Sequence, residues 1–240
     1  MDCKDIIYRR KSFRSYIQQP LDEQTMEQIK TVINSAKTLY PQESFSWKIV
    51  PPEKIKCVLP WRAPHNIVIY AQENAQSLVN VGFVFQQAEL WMQANGIGTC
   101  WLGMGHPADK TEETDTQGNP CVMMLAFGRS QEDFRTSADQ FKRRKMEEIA
   151  DKPDPRLECA RLAPSAVNSQ PWYFVHDGET IHVYGMEKYL RKLMLGNMNK
   201  IDIGISLAHI YAENSSTFEY FTAPNPSKHK GYYYVGSFKI

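Results

Sequence analysis

The chain has no Cys-x-x-Cys pair, no Cys/His spacing of a zinc site, and no apolar run near the roughly 20 residues needed to span a bilayer. Its five cysteines, Cys3, Cys57, Cys100, Cys121 and Cys159, are scattered and odd in number, which argues against a disulfide framework and for a reducing, cytoplasmic setting. An excess of one charge is also missing: 28 Lys and Arg face 27 Asp and Glu over 240 residues, so no global field favours nucleic acid or an anionic membrane. The three-glycine dinucleotide fingerprint that opens a helix after a strand does not occur. The six histidines show no triad or metal spacing, so each is expected to be structural and no metal is expected. From its charged start, Met1 to Asp5, the protein is expected to be neither exported nor embedded.

What is present is a polar run between a helix and an aromatic strand. Leu162 to Trp172 holds Pro164, Ser165, Ala166, Asn168, Gln170 and Pro171, turn chemistry with exposed hydrogen-bonding groups. Taken alone it is an ordinary helix-to-strand loop. Far upstream, Arg9, Arg10, Lys11, Ser12 and Arg14 form a basic cluster with a hydroxyl, suited either to a solvated helix end or to a phosphate dianion.

Periodicity and turn signals lay out the rest. Helices are expected over 22–38, Val79 to Asn95, 154–163 and Ile201 to Ala212. Strands are expected over Ser46 to Val50, Ile55 to Leu59, Asn66 to Ala71, Cys121 to Phe127, Trp172 to Val175, Thr180 to Val183, Glu219 to Thr222 and Tyr232 to Phe238. Asp177-Gly178 marks a hairpin. Residues 105–120 read as a mobile polar loop, and 129–153, with Lys142, Arg143, Arg144 and Lys145, as a linker that a solvated helix would equally satisfy. Laid over one another, the halves match: Trp47 falls opposite Trp172, Val81-Gly82 opposite Ile203-Gly204, and Met123 to Gly128 opposite Tyr234 to Ser237. The fold class is therefore α+β, with central mixed or antiparallel sheets flanked by helices. It is built from two degenerate repeats, about 1–138 and 139–240, in one pseudo-symmetric unit, because each half is too small to stand alone. Only the second half keeps the polar run and only the first keeps the basic cluster with its serine, so one composite site per chain is expected.

Three motifs carry a resemblance to the nitroreductase family of FMN-dependent oxidoreductases. They are Arg-Arg-x-Ser-x-Arg-x-aromatic (Arg9 to Tyr16), Gly-x-Gly-Thr-Cys-Trp-x-Gly (Gly96 to Gly103) and Ala-Pro-Ser-x-x-Asn-x-Gln-Pro-Trp (Ala163 to Trp172). The order departs from the family's, whose Pro-Ser-Asn-Gln-Pro-Trp run follows the first helices; here it sits in the second half, as though a homodimer had been fused into one polypeptide. The resemblance implies that Arg10, Lys11 and Ser12 hold the FMN phosphate and ribityl chain, and that Arg14 lies at the N1/O2 edge of the isoalloxazine. Leu102 and Gly103 would approach N5, Arg143 and Arg144 would reach the phosphate, and Pro164, Ser165, Ala166, Asn168 and Gln170 would meet the flavin from the other half. The implied activity is an NAD(P)H oxidoreductase passing hydride by a ping-pong route to a nitroaromatic, quinone or similar small acceptor. It needs no side-chain nucleophile, and Cys100 is expected to be a packed thiol. The rivals are an FMN-binding protein without turnover and a structural pseudo-dimer with no cofactor. A monomer is expected to hold a complete site, with further dimerisation possible, and 105–120 and 184–200 are expected to border the entrance.

Overall fold

The computed structural model describes residues 3–59, 61–187 and 189–240. Residue 188 and the side chains of 189–195, part of the stretch expected at the entrance, lie outside the described residues. In chain order come α1 (Cys3–Ile7), α2 (Glu23–Ser35), β1 (Phe45–Val50), β2 (Ile55–Cys57), β3 (His65–Ala71), α3 (Ala75–Ala94), β4 (Gly98–Trp101), β5 (Gly105–Pro107) and β6 (Cys121–Gly128). The second half adds α4 (Glu158–Arg161), β7 (Trp172–Asp177), β8 (Thr180–Met186), α5 (Tyr189–Glu213), β9 (Glu219–Phe221) and β10 (Tyr232–Lys239).

The strands form two four-stranded antiparallel sheets, β1-β3-β6-β4 and β7-β8-β10-β9, plus the two-stranded β2-β5. Numbered within its own sheet, each four-stranded sheet reads first, second, fourth, third. The same wiring occurs twice.

α3 packs on the first sheet and α5 on the second, and the two helices cross each other at their glycines. A Cβ on Gly82 would strike the Ile201 carbonyl, and one on Gly204 the Val79 carbonyl, so each glycine meets the residue three positions before the other. Only hydrogen at both sites lets the backbones approach this closely. The crossing lies in one continuous core that takes Ile67, Ile69 and Leu125 from the first sheet, Phe174, Ile181 and Phe238 from the second, and nearly every face of α3. Among the described residues no helix is long and apolar enough to cross a membrane.

Several boundaries move from expectation for local reasons. α3 starts four residues early because Asn74 caps it, its side chain accepting the Ser77 N–H at 2.8 Å, a signal upstream of the apolar pattern. The expected helix over 154–163 is a 3-10 turn, Pro155–Leu157, followed by the single turn α4. Residues 105–120 hold β5, a 3-10 turn and an Asp115 carboxylate that takes N–H groups from Gln117 and Asn119 and the Ser46 hydroxyl. Residues 129–153 form no α-helix. They cross from the first sheet to the second, where the Ile149 carbonyl accepts the Phe174 N–H (2.8 Å) and the Asp151 N–H reaches the Phe174 carbonyl (3.0 Å) in a short parallel bridge.

Candidate functional site

A basic segment with one aromatic must be anchored before its charges can face anywhere. Phe13 does this: it is buried, its N–H reaches the Thr99 carbonyl at 2.9 Å, and its ring fills the space that a Cβ on Gly98 would need. It meets Phe134 edge-to-face at 5.0 Å. The flanking residues Arg10, Lys11, Ser12 and Arg14 are thereby displayed along the wall of a cleft of about 450 Å³.

The opposite wall is the 164–168 turn. Val167, Asn168 and Gln170 have φ of 47°, 55° and 45°, a left-handed path that costs non-glycine residues about 1–2 kcal/mol each and so needs outside support. Support comes from both sides. The Ser165 Oγ accepts the Gln170 N–H (2.9 Å), while the Arg143 guanidinium donates to the Leu162 and Ala163 carbonyls and to Asn168 Oδ1 (2.7 Å). Asn168 returns a bond to the Lys142 carbonyl at 2.9 Å. Gln170 is fully buried and accepts the Arg144 N–H while donating to the Arg161 carbonyl, which ties the turn to the basic stretch.

The structure therefore brings eight of the expected residues, Arg10, Lys11, Ser12, Arg14, Arg143, Pro164, Ser165 and Asn168, to one cleft, 158 positions apart in sequence at the extremes of Arg10 and Asn168. Five others do not line it. Leu102 is buried on the outer face of the first sheet with its N–H given to Met124, and Gly103 packs beside Met198. Ala166 turns its N–H inward to Asp202, Gln170 lies behind the turn, and the Arg144 guanidinium points to Met186 Sδ. The position expected of Arg144 is taken by Lys142, a one-residue slip in an irregular segment. Arg135 and Gln140 also line the cleft and carried no motif. Arg135 stacks on Phe141, 4.2 Å from the ring centroid, and donates to the Arg10 carbonyl. An arginine six residues from an aromatic in a charged stretch was the available signal.

Charge decides what this cleft can hold. Arg10 is spent on Glu89 at 2.9 Å, both fully buried, and Lys11 pairs with Glu132 at 2.8 Å. Arg14 lies over the Trp61 ring, and among the described residues no carboxylate lies in salt-bridge range of Arg14, Arg135, Lys142 or Arg143. Burial, then the cations Arg10, Arg135 and Arg161, pull the Arg143 guanidinium down to about 9. Cations without counter-ions, two of them, Arg135 and Arg143, partly desolvated, favour an anion, and guanidinium forks with a hydroxyl suit a phosphate.

Behind the cleft, Glu89 also accepts from Gln86, Gln93 and Thr99, and Gln86 reaches His209 of α5 at 3.1 Å. Burial holds His209 well below the ordinary imidazole range, so Nδ1–H donates to the Cys159 carbonyl and Nε2 accepts from Gln86. Burial likewise pushes the Cys100 thiol up to about 11, as a packed thiol requires.

The sequence matches a family model described as "Putative TM nitroreductase" over residues 2–214. Among solved structures, a putative nitroreductase of Thermotoga maritima superposes with a TM-score of 0.66 at 21% identity, covering 99% of this chain and 92% of that one. An FMN-dependent nitroreductase of Clostridium difficile R20291 gives 0.46 at 13% identity, over 60% of this chain and 98% of the other. A nitroreductase with bound FMN from Bacteroides fragilis gives 0.41 at 12% identity, over 50% and 84%. No curated protein matches the chain.

Proposed function

The chain belongs to the "Putative TM nitroreductase" family, and from that premise we propose that it binds FMN in the cleft between its two halves and works as an NAD(P)H-dependent oxidoreductase. The observation carrying this reading is the convergence of Arg14, Arg135, Lys142 and Arg143, which have no carboxylate in salt-bridge range among the described residues, on Pro164, Ser165 and Asn168. Arg135, Lys142 and Arg143 suit the phosphate end of the cofactor, and Arg14 the N1/O2 edge of its isoalloxazine. Ser12, Ser165 and Asn168 add neutral hydrogen-bonding groups for a ribityl chain, and a cleft of about 450 Å³ falls in the usual range for a small-molecule site. FMN, when bound, supplies the hydride chemistry between a nicotinamide donor and a small acceptor such as a nitroaromatic or quinone. The protein's part is to bind and orient: Phe13 fixes the basic wall, and Arg143 with Asn168 fixes the turn.

The repeated strand order and the reciprocal crossing at Gly82 and Gly204 support a further element of the proposal, that the chain is a dimer-like pair of repeats in one polypeptide with one FMN site. The test is direct. Purified protein should take up one FMN per chain as a monomer in sedimentation, and the yellow complex should bleach under NADH or NADPH without oxygen. A yellow protein that never bleaches makes it a binding protein only; one that FMN cannot colour refutes the proposal. Arg14→Ala and Asn168→Ala should each weaken FMN binding about tenfold or more, as expected for a lost charged or clamped contact, while Ser44→Ala, outside the cleft, should not.

A further inference from the structure

α5 runs Ile201-Asp202-Ile203-Gly204-Ile205, an apolar stretch with one carboxyl in it. Asp202 is 3% exposed, and no salt bridge reaches it among the described residues. Its two oxygens, each 3.1 Å from the Ala166 nitrogen, accept that N–H, and the Ser169 hydroxyl also bonds to it. Both partners belong to the strained turn that walls the cleft.

The other half repeats this arrangement with different chemistry. Asp202 stands two residues before Gly204, and Asn80 stands two residues before Gly82, the matching glycine of the helix crossing. Asn80 Oδ1 accepts the N–H groups of Leu39 (2.9 Å) and Tyr40 (3.3 Å), in the loop before β1, as Asp202 serves the loop before β7. A neutral amide is thus sufficient for the holding role. The half that faces the cleft has instead a group able to ionise.

We propose that Asp202 is a positioning residue that, as a neutral carboxyl, holds the 164–170 turn in its cleft-facing shape, and that its ionisation loosens the turn and releases the cofactor. The ligand in this statement rests on the FMN reading above; the holding role does not.

Burial pushes the carboxyl up to about 8 against the opposing pull of Ala166 and Ser169, so it is mostly protonated at neutral pH. The charged groups of the neighbouring elements are engaged elsewhere: Lys200 of α5 with Asn197, Arg161 of α4 with Glu158, Arg10 with Glu89 of α3, and Arg143 with the turn's own carbonyls. On β10, burial first and then Glu187 and Asp202 push the Tyr233 hydroxyl up to about 12, so it stays neutral across the relevant range. The sign follows. A carboxyl whose folded value is raised favours the folded turn at low pH, and that support is lost as pH rises through about 8.

The experiment compares wild type, Asp202→Asn and Asp202→Ala by hydrogen exchange of residues 164–170 in the ligand-free protein and by FMN fluorescence quenching from pH 7 to 9, above the phosphate's second ionisation. Asp202→Ala should lose protection of the turn and bind FMN at pH 7 about tenfold more weakly, as for a factor of ten per pKa unit. Asp202→Asn should match wild type at pH 7. Wild-type affinity should fall roughly tenfold between pH 7 and 9, and that of Asp202→Asn should stay flat. A flat wild type, an Asn variant that titrates like wild type, or an Ala variant with a protected turn overturns the proposal. If wild type takes up no FMN at any pH, the FMN reading and the release step fall, and the exchange comparison still decides the holding role.

Discussion

Replacing Gly204 by alanine separates two effects that ordinarily act together. In an isolated helix the change is favourable by about 1 kcal/mol. Here the new methyl would strike the Val79 carbonyl oxygen and sit 2.8 Å from the Phe83 nitrogen and 2.9 Å from the Val79 carbonyl carbon. These are backbone atoms, which cannot turn aside as a side chain can, so α3 and α5 must separate by the order of 1 Å. Overpacking of this kind costs about 1–3 kcal/mol, and a backbone clash in the shared core belongs at the upper end. The net expectation is a loss of about 1–2 kcal/mol, read as a lower urea midpoint with an unchanged slope. Gly82→Ala should behave alike, since its methyl would strike Ile201. The double variant makes the sharper test, because one separation of the helices relieves both clashes. Its loss should fall short of the sum of the single losses by about 0.5 kcal/mol or more. Single variants as stable as wild type, or a strictly additive pair, would refute the reciprocal crossing.

Two further perturbations address the charges. Glu89→Ala leaves the Arg10 guanidinium buried without its counter-ion and should cost about 3–5 kcal/mol in chemical denaturation; a loss below 1 kcal/mol would mean that Arg10 finds another partner or water. Although burial opposes it, bonds from Arg156 and His176 hold the Asp154 carboxyl down at about 2, so its contribution is present above the ordinary carboxyl range and fades as pH falls from about 4 to about 2. Asp154→Asn should therefore cost about 1 kcal/mol at pH 7, allowing for solvent screening, and nothing near pH 2; thermal melts showing a constant gap across pH would contradict this.

Local chemistry makes much of the candidate site legible in the sequence alone. A basic cluster with a serine and a proline-rich turn with two amides each announce themselves in a few residues, and the repeat pairs the half carrying one with the half carrying the other. Segment 129–153 was harder. It has neither helical nor strand period, so nothing local decides whether Lys142 and Arg143 or Arg143 and Arg144 face the cleft. Arg135 escaped for a related reason: its place is set by Phe141 and by the Arg9 and Arg10 carbonyls, over 120 positions away, which accept its backbone N–H and its guanidinium. Asp202 was visible as one carboxyl in an apolar helix, but its partner Ala166 donates through a backbone N–H, which leaves no mark in a sequence. Helix starts shifted where a cap such as Asn74 preceded the apolar pattern.

The crossing of Gly82 with Gly204 bears on how such a protein can change over generations. Two identical subunits meeting at a two-fold axis carry every substitution twice, so a change that helps one face of the contact is tried on the other at the same moment. In this chain the two faces are separately encoded. Asn80 and Asp202 stand two residues before the crossing glycines and differ, an amide in one half and an ionisable carboxyl in the other. On the dimer-like reading proposed above, joining the halves releases each from having to mirror the other, and a symmetric frame becomes free to specialise one side.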